Sequence, residues 1–185
     1  MNETAIATKR LWSNLLSLAL CLIVLFQLYQ STKVGVTPRG TPAREALQHL
    51  HISMGLIALL LVVPRLWLWK AMPRPAIPAG VPAHADALAR KVNLAFYLTV
   101  LFFGITGPLF AWSEGHTVSL FGLVTLPALA PKAYQSSVTF GYFHSACGFW
   151  ILYLLAFAIG LAIYQKLRYG APLLRMLPVI GWGRA

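Results

Sequence analysis

Four long apolar segments constrain the fold of this 185-residue chain more than any other feature. They lie at about residues 11–29, 47–69, 92–112 and 145–165. Each is close to the roughly 20 residues that a helix needs to cross about 30 Å of hydrocarbon. Only 10% of the residues are charged, against about 25% in soluble domains. The sequence therefore predicts an all-α integral membrane protein, a four-helix bundle that forms a single transmembrane domain over residues 1–185.

The first segment is longer than the apolar region of a secretory signal and lacks a small-x-small cleavage site, so we expect a retained helix. The net charge of +11 is unevenly distributed between the two sides of the membrane. One side carries Lys9, Arg10, Arg65, Lys70, Arg74, Arg90, Lys91, Lys166, Arg168, Arg175 and Arg184, and the other carries Lys33, Arg39, Arg44 and Lys132. The positive-inside rule then places both termini in the cytoplasm. Because the basic excess follows topology, we expect membrane lipid as its partner and not nucleic acid.

Two of the apolar segments begin with the same pattern, a histidine four residues before a glycine. The pairs are His51 with Gly55 in helix two and His144 with Gly148 in helix four. This spacing puts an imidazole and a bare patch of backbone on one helix face, one turn apart. An imidazole ligates iron, and the missing side chain lets a flat macrocycle lie close to the helix.

Under the predicted topology both helices enter the membrane from the outside, so both histidines lie at similar depth. His51 and His144 are then expected to clamp one haem, with a ligand set that favours electron transfer over oxygen binding. For either histidine alone, the alternative is an interfacial polar residue at a helix end. His49 points about 200° away from His51 and is an outer-surface residue or a partner of a haem propionate. His116 in the third connection is either an ordinary loop residue or a hydrogen-bond partner of a haem propionate.

Helix three carries Gly104 and Gly107 towards its outer end, where small residues allow close helix contact or room for a cofactor. The third connection, residues 113–135, contains an apolar stretch at 120–127. That stretch is too apolar for a freely solvated loop. We expect it to lie in the interface or to fold over the outer end of the bundle.

These features together resemble the bacterial cytochrome b561 family, four-helix membrane proteins with b-type haem, over nearly the whole chain. The resemblance rests on His51 and Gly55 in helix two, Tyr97 and Gly107 in helix three, Leu120-Phe121-Gly122-Leu123 followed by Pro127 in the third connection, His144 opening helix four, and Leu173-Leu174-Arg175-Met176-Leu177-Pro178 in the tail.

The family resemblance implies two haems, one near each membrane face, and this chain departs from that pattern at the inner face. The outer ligand pair carries over to the two histidines described above. The positions expected to ligate the inner haem hold Ser13 and Asn14 in helix one, Asn93 in helix three and Ala158 in helix four. Since none of these side chains ordinarily ligates haem iron, we expect one haem b, on the outer side.

The resemblance further implies a membrane b-type cytochrome of the bacterial inner membrane that transfers electrons at the periplasmic face. The expected partner is the quinone pool, with ubiquinone as a second candidate cofactor, or a periplasmic redox protein. Some family members resemble superoxide oxidases that reduce ubiquinone, so whether the chain is an enzyme stays open. An alternative of another class is a structural subunit of a larger membrane complex.

Overall fold

The computed structural model describes residues 3–72 and 76–173, apart from the side chains of residues 3, 146 and 147. Its elements are α1 (Glu3–Val36), α2 (Pro42–Ala71), α3 (Ala83–Glu114), β1 (Ser119–Leu120), β2 (Val124–Thr125) and α4 (Tyr134–Tyr169). All four helices are long and apolar enough to cross a membrane. The predicted all-α membrane fold is therefore confirmed. The cytoplasmic placement of both termini stays a prediction, and residues 174–178 of the tail motif lie outside the described residues.

Each helix extends beyond its apolar segment, because the polar flanking residues continue the same backbone hydrogen bonding. Helix α2 begins at Pro42, and Thr41 caps it by accepting a hydrogen bond from the backbone N–H of Arg44 at 3.3 Å. In α4 the Thr139 hydroxyl donates to the carbonyl of Gln135 at 2.9 Å. The sequence placed His144 near the start of helix four, whereas the structure places it ten residues inside α4, nearly three turns from the first residue.

The chain forms two compact units, and every helix contributes a segment to each. The unit that we call the histidine unit comprises Leu22–Leu60 and Val100–Trp150. The unit that we call the arginine unit comprises Met1–Cys21, Leu61–Thr99 and Ile151–Ala185. We describe the two units separately below.

In the histidine unit the third connection packs onto the helices. Val118 is buried with Leu56 and Trp112 in one apolar cluster, and Leu120 and Leu126 pack against it. This burial removes apolar surface from solvent, which accounts for the apolar composition of the connection. These contacts confirm the expectation that the apolar stretch of the third connection folds onto the bundle.

A serine of α2 fixes the two-stranded hairpin of that connection. The Ser53 hydroxyl accepts a hydrogen bond from the backbone N–H of Phe121 at 2.8 Å and lies 3.1 Å from the carbonyl of Ser119. At the turn between the strands, Phe121 and Gly122 adopt left-handed backbone angles, with φ of 51° and 72°. Glycine accepts that conformation without strain, whereas phenylalanine requires support from its surroundings. The bond to Ser53 supplies part of that support.

The arginine unit is built around small side chains. Ala85, Ala89 and Ala162 are buried in one cluster, which allows close helix contact. The Gln165 amide donates a 2.8 Å hydrogen bond to the carbonyl of Ala85 and so ties α4 to α3. Arg65 is also fully buried in this unit, with 0% of its surface exposed.

Candidate cofactor site

The structure brings together the two histidines that the sequence singled out. The ring centroids of His51 and His144 lie 6.1 Å apart, with an angle of 87° between the ring planes. Both residues are partly buried. Metal–nitrogen bonds of about 2 Å on opposite sides of one ion would put two imidazole centroids roughly 6 Å apart. The separation therefore suits a single metal atom shared by both rings.

A threonine of α3 contacts Nδ1 of His144. The Thr106 hydroxyl donates to the carbonyl of Phe102 at 2.9 Å, and its oxygen lies 3.2 Å from Nδ1 of His144. In the tautomer that carries the proton on Nδ1, the Thr106 oxygen accepts a hydrogen bond from Nδ1–H. Nε2 of His144 then has a free lone pair, which is the form that binds a metal.

Close packing holds the ring of His144 in place. The ring centroids of Phe103 and Phe110 lie 5.4 Å and 6.4 Å from that of His144. Gly107 faces the same ring, and a Cβ added there would lie only 2.9 Å from Cε1 of His144. Of the two roles predicted for this glycine, the structure shows close contact, with an imidazole filling the space of the missing side chain.

Gly148, one turn after His144, lies beside open space. A Cβ added at this position would meet no described atom within 4 Å. This arrangement fits the predicted bare patch against which a flat ring can lie. The assignment of Gly148 to a cofactor stays a prediction.

His51 is held through its backbone, and its side chain keeps an unsatisfied nitrogen. The Gln27 amide donates a 2.9 Å hydrogen bond to the carbonyl of His51. Nδ1 of His51 is buried and has no hydrogen-bond partner among the described residues. Such an unpaired group costs about 1–3 kcal/mol. His51 therefore has a polar ring atom for which the described protein provides no partner.

Gly55 makes a contact that the sequence did not predict. A Cβ added there would lie 3.3 Å from Nε2 of Gln27. The glycine therefore gives the Gln27 amide access to the His51 carbonyl, and its role towards a cofactor stays a prediction. Sequence reasoning missed both Gln27 and Thr106. The available signals were a glutamine inside an apolar helix and a threonine beside Gly107.

The remaining histidines of the histidine unit occupy a different place. His49 and His116 line a cavity of about 210 Å³ together with Glu45 and Gln48. Nε2 of His116 lies 3.6 Å from a carboxylate oxygen of Glu114. Within the described part of the chain, no group of three or more histidine, cysteine, aspartate or glutamate residues is arranged to hold a metal ion.

Comparison with known proteins supports the family resemblance. The chain is similar to Cytochrome b561 homolog 2 of Escherichia coli strain K12, with 32% identity over 106 residues. The matched region is 55% of this chain and 52% of the relative, so the chain spans about half the length of the curated relative that it matches. No family model matches the chain. The relative and the four apolar helices together indicate a cytochrome b561-like membrane protein.

Proposed function

We propose that this cytochrome b561-like membrane protein binds one haem b between His51 and His144 and transfers electrons through it. The observation that carries the proposal is the facing pair of imidazoles, 6.1 Å apart between ring centroids. His51 and His144 would hold the haem, which would supply one-electron chemistry.

The protein contributes preorganised ligands. Thr106 is placed to accept a hydrogen bond from Nδ1–H of His144, which would leave Nε2 available to a metal. Phe103, Phe110 and the bare backbone of Gly107 restrict rotation of the same ring. On the other helix, Gln27 holds the carbonyl of His51 and thereby fixes the turn that presents its imidazole. These contacts reduce the ordering that haem binding would otherwise require.

The residues at the positions expected to ligate a second haem are not haem ligands, which supports a single haem. Ser13, Asn93 and Ala158 are buried in the arginine unit, with exposures of 1%, 3% and 3%. A methyl group has no lone pair, and neutral hydroxyl and amide oxygens are not among the usual haem ligands. We therefore propose that the histidine unit holds the one haem of the chain.

The proposed site lies at the periplasmic side of a bacterial inner membrane. The segregation of basic residues supports this orientation, because the loops at the histidine end carry four of the 15 lysine and arginine residues. Electrons would then pass between this haem and the quinone pool or a periplasmic redox protein. Ubiquinone would act as the exchanging quinone.

Rapid mixing tests electron transfer by this haem. Purified protein, reduced chemically without oxygen, is mixed with a short-chain ubiquinone while the absorption of the reduced haem is followed. We expect reoxidation by the quinone in wild type and in His84→Ala, a histidine outside the pair, and no such signal in His144→Ala. If the haem stays reduced after the quinone is added and also after periplasmic extract is added, the protein does not exchange electrons at this face. Haem-free protein stably bound to a larger membrane complex would instead support the structural-subunit alternative.

A cavity near the third connection supports superoxide oxidation as a second candidate function. Lys132 and His116 line a cavity of about 330 Å³ whose walls include Trp112, Val118 and Leu126. A cation at a small apolar cavity attracts a small anion. In this reaction two superoxide ions give two electrons to one ubiquinone, which takes up two protons, and two oxygen molecules leave. Superoxide-driven quinone reduction that His51→Ala abolishes and Lys132→Gln weakens would support it, and equal rates in all three proteins would exclude it.

A further inference from the structure

Arg65 is a charged residue buried within a membrane-spanning helix. It lies six residues before the end of α2 and has 0% of its surface exposed. Its Nε donates a 2.8 Å hydrogen bond to the hydroxyl of Ser17. Nη1 and Nη2 are buried and have no hydrogen-bond partner among the described residues. A guanidinium keeps its charge in proteins and has five N–H groups, of which the Ser17 hydroxyl accepts one.

The immediate surroundings fix the guanidinium without neutralising it. Its central carbon lies 4.4 Å from the ring centroid of Tyr97 and 5.4 Å from that of Trp69. The Tyr97 hydroxyl donates to the same Ser17 oxygen at 2.9 Å, and Ser17 donates to the carbonyl of Ser13 at 2.7 Å. Ser17 has therefore used its donor and both lone pairs. Both aromatic faces attract the cation.

The arginine unit contains little negative charge to balance Arg65. Of the four acidic residues of the chain, Glu45 and Glu114 belong to the histidine unit. Among the described side chains of the arginine unit, Asp86 is the only carboxylate, and it lies 2.9 Å from Arg90. The described basic residues of this unit are Lys9, Arg10, Arg65, Lys70, Arg90, Lys91, Lys166 and Arg168. Arg65 therefore has no ion-pair partner among the described residues of this unit.

A polar stripe on α1 leads from the basic beginning of the helix towards this guanidinium. Arg10, Asn14 and Ser17 follow at intervals of four and three residues, which places them on one helix face. Nε of Arg10 and Oδ1 of Asn14 are also buried without a partner among the described residues. Arg10 is therefore a second cationic side chain with an unused donor, on the face of α1 that carries Ser17.

We propose that Arg65 is the centre of a buried oxyanion site that takes a phosphate group. The planar fork of a guanidinium matches two phosphate oxygens, and basic pockets between membrane helices bind anionic lipid head groups. Two sources share this chemistry, the head group of an anionic phospholipid and free phosphate. The site is independent of the haem and of its ligands.

Native mass spectrometry of the delipidated protein in detergent tests this site. Phosphatidylglycerol, phosphatidylcholine and inorganic phosphate are added separately to wild type, Arg65→Gln and Arg168→Gln, the last being an exposed arginine of the same unit. We expect one phosphatidylglycerol to bind wild type and Arg168→Gln roughly tenfold more tightly than Arg65→Gln, about the worth of one charge-assisted hydrogen bond. If Arg65→Gln weakens the binding of inorganic phosphate but not of phosphatidylglycerol, the ligand of the site is free phosphate. Equal binding of phosphatidylglycerol and of phosphate by all three proteins overturns the proposal.

Two further variants keep the test decisive if Arg65→Gln does not fold. Arg65→Lys retains the charge but loses the planar fork, and Ser17→Ala removes the acceptor that orients the guanidinium. Both are expected to weaken phosphatidylglycerol or phosphate binding while circular dichroism stays that of wild type. Folded Arg65→Lys and Ser17→Ala proteins that bind like wild type would overturn the proposal.

Discussion

Replacing Gly107 by alanine tests whether His144 is a ligand held by close packing. The added Cβ would lie 2.9 Å from Cε1 of His144, whereas carbon atoms pack best at about 3.5–4.0 Å. The imidazole or α3 must therefore move by roughly 0.6–1.1 Å. Overpacking of this kind costs about 1–3 kcal/mol. In the haem-free protein the imidazole can shift by this distance, whereas a ring that also ligates iron would be held at a second point, so the cost falls mainly on haem binding. The expected loss of haem affinity is about 5- to 150-fold.

The rate of haem transfer to apomyoglobin measures this loss in purified protein. Gly107→Ala should release haem faster than wild type, while its helical circular dichroism stays unchanged. Gly160→Ala is the matched control, because it lies on the same helix as His144 and a Cβ there meets no described atom within 4 Å. If Gly107→Ala and Gly160→Ala release haem at the same rate as wild type, His144 does not ligate haem in the position described here.

Three further predictions concern the histidine unit. Thr106→Val removes the acceptor for Nδ1–H of His144 and should raise the haem reduction potential by roughly 20–60 mV, because a less basic ligand stabilises ferric iron less. In a redox titration, Thr106→Ser should retain the wild-type potential. An unchanged potential in Thr106→Val would argue against a proton on Nδ1. Gly148→Ala should leave the thermal stability of haem-free protein unchanged or higher but lower the haem content, whereas full haem content would show that no cofactor lies against this glycine. Ser53→Ala should increase hydrogen exchange at the amide of Phe121 by about 5- to 100-fold, and unchanged exchange would mean that the hairpin does not depend on this bond.

The helices and the histidine pair could be predicted from the sequence because both depend on regular spacing. Long apolar segments determine where a chain crosses lipid, and the repeated spacing from His51 and His144 to their glycines reports one helix face. The depth of His144 within α4 was not predictable in this way, since the ten preceding residues are partly polar. The backbone hydrogen bonds of α4 nevertheless continue through these residues, whose hydroxyl groups donate to carbonyls of their own helix.

Residues that act through single tertiary contacts leave no periodic signal. Thr106 and Gln27 are isolated polar residues in apolar helices, and only the packed structure shows that each contacts a ligand histidine. Arg65 shows the same limit more clearly. Its position near the end of an apolar segment suggests an interfacial basic residue, but Ser17 and Tyr97 of neighbouring helices bury it completely.

The amount of haem per polypeptide decides whether His51 and His144 bind one haem. Pyridine haemochrome analysis of the purified protein, normalised to amino-acid analysis, gives this ratio for wild type, His51→Ala and His144→Ala. We expect one b-type haem in wild type and loss of that haem in each variant, with His49→Ala as a control that retains it. Two haems per chain, or a full complement of haem in either ligand variant, would show that the two histidines do not hold a single haem.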